Sequence, residues 1–234
     1  DNQMAWPGPA MLELPENQWP TDRQTLEAWA MARVDVHFDS CWEAAVTDWE
    51  SSPNRSGSVA DADPGEALEM TRAGISMHLD QVEACIQAGG GPRLPEWRAG
   101  GVRGQWPAPD GFPRVWIERH PAARDSGEIT WCEAWEVARP WFVDPDAGQW
   151  KQTTSHPDEW FQGEYDMVYD WTGAIRIVDL KASIGKGDRS GSYIDQLRLY
   201  CWLWWETHDR ADEVEALEIW YLGSGSENDV PRPT

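Results

Sequence analysis

Three charged side chains on two short stretches of β character have the types and spacing for chemistry: Asp166, Asp179 and Lys181. Residues 163–170 and 174–183 alternate in polarity on either side of Trp171, Thr172 and Gly173. Period-two alternation about a glycine-containing turn predicts a β-hairpin. In the second stretch Ile175, Ile177, Asp179 and Lys181 share a face, because successive strand residues point to opposite sides. With the turn centred on Thr172 and Gly173, residues whose numbers sum to 345 lie opposite one another, which sets Asp166 across from Asp179. Cross-strand Cβ atoms lie about 4.5–5.5 Å apart. Two carboxylates that close raise each other's pKa unless a cation sits between them, and a hard divalent ion with oxygen ligands suits the place. Lys181, two residues on, reaches the same spot. A one-residue slip of register would turn one acid to the other face.

Other elements must hold that hairpin. Thr21-Asp22-Arg23-Gln24 fits a capping box, and Leu26, Ala30, Val34, Phe38, Cys41, Ala45 and Trp49 recur at helical spacing, which predicts a long helix over about 22–50. Asp63-Pro64-Gly65-Glu66 supplies an N-cap, a first-position proline and an acid, and Gly89-Gly90-Gly91 stops the second helix near 88. His78 lies on the shoulder of that helix's apolar stripe, in line with Gly74. Residues 89–127 read as an irregular insertion that holds the main concentration of positive charge: Arg93, Arg98, Arg103, Arg114, Arg119 and Arg124. It is either a substrate-contacting arm or a solvated insertion whose arginines pair with local acids. Residues 129–143 alternate imperfectly and are expected to form the first strand of the sheet, with Pro140 near its end. Glu133 and Glu136 on that stretch are candidates for a further carboxylate. Residues 182–192 form a glycine-rich loop with Lys186 and Arg189, but lack the spacing of a nucleotide-binding phosphate loop. A helix over 193–207 places Gln196 and Tyr200 on one side. A strand over 214–222 closes the pattern, and the tail 224–234 reads as flexible.

Taken in order, Gly163-Glu164-Tyr165-Asp166, Asp179-Leu180-Lys181 and Gln196-Leu197-Arg198-Leu199-Tyr200 resemble the G-x-x-D, (D/E)-x-K and Q-x-x-x-Y motifs of the RecB-like branch of the PD-(D/E)XK nuclease superfamily. Gly74-Ile75-Ser76-Met77-His78 is similar to the G-x-x-x-H helix motif that precedes the hairpin in many of its members. The resemblance spans about the C-terminal two-thirds of the chain. It implies an α/β fold: a restriction-endonuclease-like α-β-β-β-α-β core, its mixed central sheet flanked by helices, with an N-terminal helical extension. It implies a nuclease domain over 61–223, preceded by a lead-in and long helix over 1–60. The activity it implies is a deoxyribonuclease, of exonuclease type, dependent on Mg²⁺ or Mn²⁺. Asp166, Asp179, the Leu180 carbonyl and His78 would hold the metal. Lys181 would act at the scissile phosphate, and Gln196 and Tyr200 would support it. Lys186, Arg189, Arg93, Arg98 and Arg103 are the candidate contacts to the DNA, single- or double-stranded. A helicase or recombination subunit is an expected companion, in the cytoplasm and away from membranes.

Composition bears on these expectations. Of 234 residues 41 are acidic and 19 basic, a net charge of −22, and only Lys151, Lys181 and Lys186 are lysines. So acidic a surface suits concentrated salt, and it disfavours unaided capture of DNA through phosphate contacts. The four cysteines are scattered without a C-x-x-C pair, which argues against the iron–sulfur cluster that some RecB-like nucleases carry. Eighteen tryptophans are far above ordinary usage, and exposed ones could stack on bases or on sugars. Two further readings therefore stand beside the nuclease: a binding or assembly module of the same fold that no longer cleaves, and a tryptophan-rich carbohydrate-binding protein.

Overall fold

The structure is a computed structural model that describes residues 14–53, 55–100, 119–120, 122–142, 153–156, 158, 160–182, 190–208, 210, 213–223 and 226–229. It is α/β. Helix α1 (Arg23–Ser51) begins at a capping box in which the Asp22 side chain accepts from Thr25 N, as the spacing predicts. Helix α2 (Pro64–Gln87) begins where Asp63 Oδ1 accepts from Gly65 N and Glu66 N, and it ends at the three glycines. Arg23 pins α1 to α2 through Asp80, at 2.8 Å, and Glu83, at 3.0 Å, while Leu26 is fully buried in the shared core. The N-terminal helix is thereby part of the same body. No helix among the described residues is long and apolar enough to cross a membrane.

Four strands form the main sheet in the order β3 (Met167–Tyr169), β4 (Ile175–Lys181), β5 (Val214–Tyr221) and β6 (Ser226–Asp229). The β3–β4 pair is antiparallel, with Met167 opposite Val178, Val168 opposite Ile177 and Tyr169 opposite Arg176. That is the expected register, set by a turn in which Gly173 N donates to Asp170 O and Gly173 takes a φ of 89°. A glycine supplies that conformation without steric cost. Strand β5 runs parallel to β4, and β6 antiparallel to β5. Helix α5 (Ser190–Thr207) covers one face, packing Leu197, Leu203 and Trp204 over Ile175, Ile177, Leu217 and Ile219. Helix α2 and the short helices α3 (Arg93–Ala99) and α4 (Trp131–Val137) cover the other, around Tyr169, Val178 and Trp220.

Three expectations are corrected. Residues 129–143 do not form a strand: α4 occupies their middle, because Thr130 and Glu133 close a capping box and bury Cys132, Ala134 and Val137 on a helical face. Among the described residues of this stretch, Trp141 alone pairs with a strand, as an isolated antiparallel bridge to Val168. The first arm of the hairpin is not continuous. Strand β2 (Gln162–Glu164) pairs with β1 (Thr153–Ser155) in a separate two-stranded sheet, and the chain bends at Asp166 before β3. Residues 226–229, read as part of a flexible tail, form the edge strand β6.

Candidate active site

The bend at Asp166 has a chemical cause. Leu180 N donates to Asp166 Oδ2 at 2.7 Å, so a side-chain oxygen takes a backbone donor at the point where β3 begins. The same bond fixes Asp166 beside Asp179, the next residue back along β4. Asp179 is 4 % exposed, and its Oδ2 lies 2.5 Å from Lys181 Nζ. Burial pushes the Asp179 carboxyl above its ordinary range; Lys181 pulls it down, and the charge of Asp166 adds to the rise. The ammonium thus pairs with the buried Asp179, and the Asp166 carboxylate stands near enough to act on Asp179.

Helix α5 builds the wall above. Lys181 Nζ lies 4.6 Å from the centre of the Tyr193 ring, a cation–π contact that holds the ammonium at the helix. One and two turns on, Gln196 Nε2 donates to Tyr200 Oη at 2.8 Å. The Tyr200 ring sits on Gly163: a Cβ on that glycine would lie 2.7 Å from Tyr200 Cε1 and 2.9 Å from Cδ1. Tyr165 meets Tyr200 edge-on at 5.4 Å. Gly163, Asp166, Asp179, Lys181, Gln196 and Tyr200 are therefore gathered along one end of the hairpin and the adjoining turns of α5.

No family model, curated protein or solved structure matches the chain. The site stands on its geometry.

His78 is not brought to this cluster. It is buried on the opposite face of the sheet, sharing a hydrogen bond of 3.1 Å with Tyr169 Oη and packing edge-on against Trp135 at 4.8 Å. Burial, with Arg139 nearby, drives its pKa down to about 3, so it is a neutral core histidine. Glu133 and Glu136 also lie on that far side. Glu133 holds Arg98 through bonds of 2.8 and 2.9 Å. Burial pushes its carboxyl up, but Arg98 and the amides of Arg124 and Thr130 outweigh this and hold it below its usual range. Glu136 pairs with Arg139 at 2.9 Å.

The candidate DNA contacts divide as well. Arg93 is taken up by Glu96 and by Asp170 at the hairpin turn, the end remote from Asp179. With Arg98 on Glu133, both arginines are bound by local acids. Arg103, Lys186 and Arg189 lie outside the described residues.

Two contributions were missed in the sequence. Tyr193 lies three positions before Gln196, a helical spacing that sets the two on one side of α5, but nothing in the sequence ties its ring to Lys181. His156, Trp160 and Trp202 form a ring cluster just before β2 and on α5, and no spacing rule connects them.

A metal ion can be tested against these donors. Among the described residues no three His, Cys, Asp or Glu side chains gather into a group that could hold one. The set is Asp166, Asp179 and the Leu180 main-chain carbonyl, all hard oxygens, with a surplus negative charge that Lys181 does not cancel. Mg²⁺ ordinarily takes one or two carboxylates and completes its shell with water and substrate phosphate. The residues fit such an ion and do not fit a closed, all-protein cage.

Proposed function

We propose that this chain is a metal-dependent deoxyribonuclease of the PD-(D/E)XK type, hydrolysing phosphodiester bonds at Asp166, Asp179 and Lys181. The observation that carries the reading is the meeting of those three side chains at one end of the hairpin, under a helix that presents the Gln196–Tyr200 pair. The order α2, β3, β4, α5, β5, with β4 antiparallel to β3 and parallel to β5, supports a restriction-endonuclease-like core. The antiparallel Trp141–Val168 bridge supports a place for a first strand beside β3.

A bound Mg²⁺ or Mn²⁺ would lower the pKa of a water and neutralise phosphoryl charge. The chain's own residues do the rest. Asp166 and Asp179 would hold the ion, the first oriented by Leu180 N and the second by Lys181. Lys181, steered by Tyr193 and Asp179, would place its ammonium against the phosphoryl oxygens on which negative charge develops. Tyr200, fixed by Gln196, braces the entry to β3.

The test is cleavage of end-labelled and circular DNA with each metal over a range of salt. Activity should require Mg²⁺ or Mn²⁺ and fall by about 10²-fold or more in Lys181→Ala, with circular dichroism unchanged. Undiminished cleavage in that variant overturns the assignment. The charge of −22 and the capture of Arg93 and Arg98 by acids favour a second reading, an inert module serving a helicase or other subunit. Calorimetric titration with Mn²⁺ separates the two, because an inert module has no cause to bind the ion.

A further inference from the structure

Close to the candidate active site lies an aromatic platform. Trp160 is 64 % exposed, yet its ring rests on His156 at 5.2 Å and on Trp202 at 5.4 Å. His156 and Trp202 are stacked nearly parallel, 10° apart with centroids at 5.0 Å. His156 N donates to Phe161 O at 2.8 Å, which fixes the imidazole and the indole side by side. His156 Nδ1 accepts from Asp158 N at 3.1 Å, so the ring is held on its inner side as well. The result is a large, braced π-face that ordinary core packing leaves uncovered.

The platform is joined to the candidate catalytic end of the hairpin along two elements. Trp202 is nine residues beyond Tyr193 on α5, about 13 Å along the axis at ~1.5 Å per residue and half a turn round the helix, so a strand running between them crosses α5. Trp160 is six residues before Asp166, at most about 20 Å of extended chain.

We propose that Trp160, supported by His156 and Trp202, stacks on an unpaired base of single-stranded DNA whose backbone runs toward Asp179 and Lys181. This rests on the nuclease reading and gives it a substrate class. The charge argues for the base as the contact. Asp158 lies 4.0 Å from His156 Nδ1 and repels phosphate there, whereas stacking draws no affinity from neutralising phosphates. In a chain of net charge −22, a platform of this kind supplies binding that a basic groove supplies elsewhere.

Fluorescence anisotropy of a labelled all-thymine oligonucleotide of about 15 residues, with the full chain in EDTA, tests the proposal. Trp160→Ala should weaken binding about 5- to 150-fold, and Trp160→Phe should restore most of it. The dependence on salt should stay the same in both, because no phosphate contact is removed. Because Trp160 is exposed, the variants should fold as the parent does. Four results overturn the proposal: no binding by the parent, equal binding by Trp160→Ala, equal binding of a fully abasic strand, or displacement of the strand by a neutral oligosaccharide. Cleavage is scored separately with Lys181→Ala. Trp160-dependent binding without any cleavage sinks the nuclease reading and keeps the platform; cleavage without Trp160-dependent binding does the reverse.

Discussion

Replacing Gly163 by alanine puts a methyl group 2.7 Å from Tyr200 Cε1, 2.9 Å from Cδ1 and 3.0 Å from Leu203 Cδ2. Carbon atoms in good contact sit about 3.5–4.0 Å apart, so the overlap approaches ~1 Å. The ring has little freedom to yield. Its hydroxyl is held by Gln196 at 2.8 Å, and Tyr165 packs against it edge-on. Gly163 lies in the strand Gln162–Glu164, where alanine meets no backbone strain and gains about 0.4–1 kcal/mol through the unfolded chain. Overpacking costs about 1–3 kcal/mol, which leaves a net loss of about 1–2 kcal/mol. For a chain of this size the midpoint should fall by about 2–8 °C. Urea and thermal unfolding of Gly163→Ala, Tyr200→Ala and the double variant form a cycle. The methyl enters the space the ring vacates, so the two costs should fail to add by about 1–2 kcal/mol. Additive costs, or a Gly163→Ala protein as stable as the parent, would refute the fit between β2 and α5 on which the site's geometry rests.

Asp179→Asn should lose cleavage but gain stability relative to the parent as pH rises from 3.8 upward in EDTA. A carboxyl whose folded pKa is raised destabilises the fold once it ionises. A parent-to-variant gap that stays constant over that range contradicts the picture. His78→Asn should leave Mn²⁺ affinity and metal-dependent cleavage within about threefold, measured by calorimetry and rate, because the residue does not face the carboxylates. The same variant should flatten the acid limb of the stability curve. A histidine held neutral down to about 3 in the fold, but ionising near 6.5 when unfolded, withdraws stability as pH falls between those values. Cys85 and Cys132 are buried, with thiols pushed up to about 12, so exposed Cys41 should react with a disulfide reagent in the native protein much faster than either. Fast modification of all four would contradict the packing.

The hairpin was legible because its register is set locally: one turn glycine and two alternating runs leave little choice. That Asp166 sits opposite Asp179 followed from counting. The bend that separates β2 from β3 did not, since it depends on a side chain taking over a backbone donor, which alternation does not encode. Residues 129–143 misled because Trp131, Glu133, Trp135 and Val137 alternate like a strand. The Thr130–Glu133 capping box was the better signal, and burial against α2 settled it. For His78 the stripe showed which way the ring points along α2, but the identity of the surface it meets is decided by how α2 lies on the sheet. For Arg93 and Arg98 the sequence left open a substrate-contacting arm or pairing with local acids, until the fold brought Asp170 and Glu133 to them. The edge strand β6 carries no apolar pattern of its own and forms by pairing with β5.

The β4–β5 ladder is parallel, with Asp179 opposite Ile219 and Lys181 opposite Tyr221, so the strand bearing the acid and the amine is completed by a segment about forty residues downstream. A nascent chain that has emerged only as far as Lys181 has no such neighbour, and its hairpin alone is marginal in water. The cluster of Asp166, Asp179 and Lys181 is therefore held in place only after the closing helix and strand have been made. On the nuclease proposal, a chain interrupted before β5 would carry all three charged residues and still leave nucleic acid uncut.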